Sequence, residues 1–150
     1  MADFRSRGGA VFTVDPVRIA AGHDVAAEAL AFAVPRLGDA PVLVAASAEQ
    51  AAVKAVQAQL GAQRAGELVE ATLARIAQGL VEAGVGRLVI AGGETSGACV
   101  QALGLTRLRI GPQIDTGVPW CFAPERSLHI ALKSGNFGDT AFFSRAFTLL

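Results

Sequence analysis

"RLVIAGGETSGACVQAL" (residues 87–103) changes character in its middle. It opens with an apolar run of strand length and closes with residues that suit a helix, and Gly92, Gly93, Glu94, Thr95, Ser96 and Gly97 stand at the junction. A strand that feeds directly into a helix is half of a crossover unit, because parallel strands need a long return connection between them. In open sheets built this way, ligands gather at the carboxyl ends of the strands. The junction therefore points to an architecture and to a place for chemistry.

Working outward, the same alternation recurs. Residues 9–15, 41–47, 86–93, 105–111 and 128–135 read as strands, and residues 23–38, 47–61, 65–84 and 95–104 read as helices. Asp24 is a predicted N-cap, Ser47 and Gln50 have capping-box spacing, and Pro35 should shorten or kink the helix that Gly38 stops. Residues 110–121 hold two glycines and two prolines and read as too broken for helix or strand. The expected fold is α/β, a mostly parallel sheet with helices on both faces in three α/β/α layers, formed as one domain over residues 1–150.

Composition narrows the function. With 52% hydrophobic and 17% charged residues the chain can bury a sizeable core, and 13 basic against 13 acidic side chains leave no field for nucleic acid or an anionic membrane. Charged or polar residues break every apolar run, and the start has no secretory apolar segment, so the expected location is cytoplasmic. Cys99 and Cys121 lack metal or redox spacing and read as small buried residues. No metal-ligand set stands out.

Two glycine corners carry the chemistry. At residues 92–97 the glycines let backbone N–H groups approach an anion, the following helix adds its dipole, and Thr95 and Ser96 add hydroxyls. Glu94 would repel phosphate unless a cation such as Mg²⁺ lay between them. The structural alternative is a tight turn with Thr95 or Ser96 as N-cap and Gly97 serving close packing, and the two readings stand level. At residues 132–139, Lys133 offers a point charge, and Ser134, Gly135 and Asn136 offer a nest of donors. Asp115 could orient a ribose hydroxyl or a metal-bound water, or simply fasten a turn before Gly117; Trp120 could stack on a base or pack in the core. His129 reads as a core histidine and His23 as a helix-start residue. The dinucleotide, P-loop and nucleophile-elbow patterns do not fit.

Taken in order, "AGGETSG", "IGPQIDTGVPW" and "ALKSGNFG" closely resemble the carboxy-terminal, nucleotide-binding region of the four-carbon acid sugar kinase family, formerly catalogued as a domain of unknown function. The resemblance implies an ATP-dependent phosphotransferase acting on tetronate-type acid sugars such as erythronate, threonate or their 3-oxo derivatives. It implies that Gly92, Gly93, Glu94, Thr95 and Ser96, with Gly135, Asn136 and Gly138, form the ATP/ADP site together with Mg²⁺. The pattern departs from the family at Gln113, Thr116 and Ala141. The family's amino-terminal acid-sugar-binding domain has no counterpart in these residues, so the chain alone is expected to bind nucleotide weakly and to have little kinase activity. The alternative is a non-catalytic nucleotide- or anion-binding module that works with a partner chain. A separate acid-sugar-binding domain or chain is the implied partner, and exposed apolar surface would favour a homo-oligomer.

Overall fold

The computed structural model describes residues 2–38, 40–46, 50–135 and 141–150. The elements are α1 (Ala2–Ser6), β1 (Ala10–Thr13), α2 (Pro16–Ala20), α3 (Val25–Ala33), β2 (Val42–Ala45), α4 (Gln50–Leu60), α5 (Ala62–Glu82), β3 (Arg87–Ala91), α6 (Gly93–Ala102), β4 (Arg109–Asp115), β5 (Val118–Ala123), β6 (Leu128–Lys133) and α7 (Phe142–Ala146). One sheet is the parallel pair β1–β2; the other has the order β3-β6-β5-β4, with β3 and β6 parallel and β5 antiparallel to both neighbours. The α/β reading holds.

Helices cover both faces of the larger sheet. On one face, Ala74 and Ala77 of α5 and Cys99 of α6 pack against Ile90, Leu128 and Ile130; on the other, Phe142 and Ala146 of α7 pack against Trp120 and Ala131. The same α5 also reaches under the smaller sheet, where Ile76 and Leu80 join Val14, Val25 and Ala29. Its apolar positions, spaced three and four apart, lie on one broad stripe. A single 21-residue helix thus supports both sheets.

Local chemistry explains the element ends. Asp24 caps α3 by accepting from the Ala27 N–H at 3.1 Å, as its position before the helix predicts. Pro35 falls in a 3-10 turn, Val34–Arg36, so the α-helix ends at Ala33 rather than running to Gly38. The Asp15-Pro16 pair follows β1, which ends at Thr13, and starts α2, because the Asp15 carboxylate accepts from the Val17 N–H at 2.8 Å and proline suits the first helical position. The expected Ser47 cap lies outside the described residues.

Residues 110–121 correct the sequence reading, because they form most of the β4–β5 hairpin. Proline is tolerated since β4 is an edge strand, and Pro119 of β5 precedes the stretch, Trp120–Ala123, that pairs with β6. Register shifts between Ile110 and Asp115 absorb the irregular residues. Gly111 lies close to the neighbouring strand: a Cβ there would sit 3.0 Å from the Trp120 carbonyl oxygen, tighter than ordinary contact.

Candidate functional site

The two glycine corners follow β3 and β6, which are adjacent and parallel, with Ala91 beside Lys133 in the register. They therefore open at the same sheet edge. The Gly92 N–H donates to the Lys133 carbonyl oxygen at 2.8 Å and ties one corner to the other. What the sequence separates by some forty residues, the parallel pairing brings side by side.

At the first corner, helix α6 begins at Gly93, two residues before the predicted start. This removes the expected alternative in which Thr95 or Ser96 caps the helix: Gly92 is the N-cap, and no side chain serves as a cap. Its φ of +115° is a conformation that glycine adopts without strain. The first intrahelical bond runs from the Ser96 N–H to the Gly92 carbonyl at 2.8 Å, which leaves the preceding turn of N–H groups for an external acceptor. A Cβ built on Gly93 meets nothing within 4 Å, so the missing side chain leaves open space at these donors. Gly97 likewise has open space, which corrects the close-packing role expected for it.

Glu94 is exposed in this first turn and meets Glu70 of α5. Partial burial raises the Glu70 pKa above its ordinary value of 4.5, and the charge and hydrogen bond of Glu94 raise it further. Sequence reasoning missed Glu70, since a lone acid in an amphipathic helix has no local mark that it will face Glu94. The Ser96 hydroxyl is buried and finds no partner among the described residues. A donor left in that state is stabilised by any acceptor that reaches it.

The second corner is held from below. Lys133 is buried, with its Nζ 3.1 Å from the Ser134 carbonyl oxygen, 3.4 Å from that of Gly135, and 5.7 Å from the centre of the Phe142 ring. It braces the backbone of the corner, so its point charge faces these carbonyls. Gly135 is exposed, with open space where a Cβ would stand. Asn136 and Gly138 lie outside the described residues.

The remaining candidates have structural partners. Asp115 accepts from the Thr116 N–H at 2.8 Å and pairs with Arg145 at 2.8 Å, which fastens the hairpin turn to α7. Trp120 is buried, donates to the Ala146 carbonyl at 2.9 Å and meets Phe147 edge-on, so its ring serves the core. His129 is half-buried, with its ring on Phe122 at 5.0 Å, which corrects its expected place in the core. Burial raises the thiol pKa of Cys99, to about 11, and of Cys121, in line with packing roles. Among the described residues no group of three His, Cys, Asp or Glu side chains could hold a metal ion, and no helix is long and apolar enough to cross a membrane.

The 3-oxo-tetronate kinase of Methylobacterium radiotolerans is 55% identical over 143 residues, covering 93% of this chain and 34% of its own length. That of Burkholderia multivorans is 54% identical over 140 residues, covering 93% and 32% respectively. The chain thus spans about a third of the length of these relatives. Among solved structures, Haemophilus influenzae protein HI1011 superposes with a TM-score of 0.89 at 35% identity, over 99% of this chain and 36% of that one. A Bordetella bronchiseptica protein, solved as a domain-swapped dimer with bound citrate, shares the fold with a TM-score of 0.65 at 19% identity, over 97% of this chain and 35% of its own. A family model described as the nucleotide-binding C-terminal domain matches residues 1–143, and the chain belongs to that family.

Proposed function

We propose that this chain is the ATP-binding part of a kinase that phosphorylates four-carbon acid sugars of the 3-oxo-tetronate type. The observation that carries the reading is the first turn of α6, whose N–H groups precede the first intrahelical bond and lie beside the open space at Gly93, while Gly92 is bonded to the neighbouring corner. Names of relatives supply the substrate class. The N–H groups of Gly93, Glu94 and Thr95 would hold the nucleotide phosphates, with Gly92 shaping the turn and Gly135 at the neighbouring corner.

Glu94 fits a nucleotide only as its magnesium complex. The Glu70–Glu94 pair already concentrates negative charge here, and Mg²⁺ carried by the phosphates would relieve the repulsion that a bare triphosphate meets. Phosphoryl transfer rests on positioning and on neutralising charge around the group in flight. The chain supplies donors and an acid on one side of that group. Recognition of the acid sugar would come from residues beyond the third of the relatives' length matched here, so the chain alone should turn over little or no acid sugar.

Calorimetric titration with Mg-ADP and Mg-ATP tests the reading, beside a Gly93→Asp variant. Binding by the parent chain and its loss in the variant are expected, because aspartate fills the open space with like charge. Equal binding by both would overturn the placement of the phosphates. Substantial acid-sugar turnover by the chain alone would overturn its dependence on further residues.

A further inference from the structure

Between the two sheets lies an open cleft of about 960 Å³. Consecutive residues of β2, Val42 through Ala45, line one wall, and consecutive residues of β3, Arg87 through Ala91, line the other. Side chains alternate between the faces of a strand, so a wall formed by every successive residue is a strand edge and not a face. Among the described residues, β2 pairs only with β1 and β3 only with β6. Each strand therefore turns an unpaired edge toward the cleft.

The surroundings have the form of a strand's bed. Leu73, Ile76, Ala77 and Leu80 of α5 line it from one side, and Phe143 and Phe147 border it from the other. A strand lying here would be covered on both faces, which calls for an apolar segment of about 5–6 residues, an ordinary strand length. The four residues of β2 are only half-buried although all are apolar, while four of the six residues of β6 are buried. An isolated two-stranded parallel sheet is itself a poor unit, since such sheets are ordinarily buried within larger ones.

We infer that this cleft takes one extended apolar segment, which pairs with β2 and β3 together and joins the two sheets into one. We assign that segment to the roughly two thirds of the relatives' length that lies outside the match to this chain. The chemistry required is a run of apolar residues with free N–H and C=O groups on both edges. The inference stands on strand edges and does not depend on nucleotide binding.

Overlapping twelve-residue synthetic peptides that tile the rest of the Methylobacterium radiotolerans kinase provide the probe. A captured peptide should slow amide exchange at Val42–Ala45 and Arg87–Ala91 at once, at least tenfold, while β6 serves as the internal reference. Failure to capture any peptide, or protection of one edge alone, would overturn the proposal. So would concentration-dependent protection of both edges in the chain by itself, which would make a second copy the occupant. If the chain alone proves unfolded, with β6 exchanging freely, the intact Methylobacterium radiotolerans kinase decides: amides aligned with both edges should exchange as slowly as those aligned with β6, and fast exchange there would overturn the inference.

Discussion

The two sheets differ in burial, and the difference runs against composition. "VLVA" in β2 is entirely apolar and every residue of it is half-buried, whereas β5 and β6 contain proline, cysteine, histidine and lysine and still bury half or more of their residues. Strand burial is set by neighbours. Trp120 in β5 has strands on both sides and α7 above it; Val44 in β2 has β1 on one side and a cleft on the other. Apolar composition says that a strand wants cover, and topology says whether this chain provides it.

Truncation in each sheet would show the contrast most strongly. Trp120→Ala should destabilise the chain by about 3–5 kcal/mol through the cavity it leaves, with the Ala146 carbonyl also losing its donor. Val44→Ala, at a half-buried site, should cost about 1 kcal/mol or less. Denaturant unfolding of the two variants measures the difference, and equal losses would break the comparison.

A smaller effect is expected at the corner beside β3. Gly92→Ala forces a side chain into a φ of +115° and sets its Cβ 3.2 Å from the Thr95 hydroxyl, for a cost of about 1–3 kcal/mol. Gly93→Ala, with open space around it, should be nearly neutral in stability. A reversal of that order in thermal unfolding would mean that the strain lies elsewhere.

Smaller still is the pH dependence on the α5 side of the cleft. Because the folded pKa of Glu70 lies above its ordinary 4.5, the protonated form favours folding, and that contribution is lost as pH rises through the folded value. Glu70→Gln should therefore gain stability relative to the parent as pH increases above about 4.5, and the two should converge in more acidic solution. The smallest effect is expected at Asp24, where the Ala27 N–H and then Arg75 hold the carboxyl below 3.8. The modest loss in Asp24→Ala should be present near neutrality and vanish as pH falls through the lowered pKa.

The elements legible in the sequence were those whose cause is local. Asp24 before an apolar stripe gave a capped helix, and the glycines after "RLVIA" gave a corner at a strand end. Pro112 and Pro119 misled, because proline's effect depends on whether its edge is paired, which is a property of the finished sheet. Helix α6 starts two residues before the sequence pattern indicates, since glycine is a weak helix former and a glycine N-cap has no side chain to mark it. Of the candidate site, the two corners were readable in the sequence and their adjacency was expected only from strand-end logic. Glu70 was not readable, because its meeting with Glu94 is made by the packing of α5 against α6.

Trp120 carries one more consequence. It is the sole tryptophan in a chain without tyrosine, and it lies beneath α7, whose Phe142 ring borders the Lys133 ammonium. Intrinsic fluorescence from this protein is therefore the voice of one buried indole, with no tyrosine background. Any event that shifts the second corner through Lys133 and Phe142 has a short path to that indole, so the chain contains its own optical gauge of the β6 end of the site.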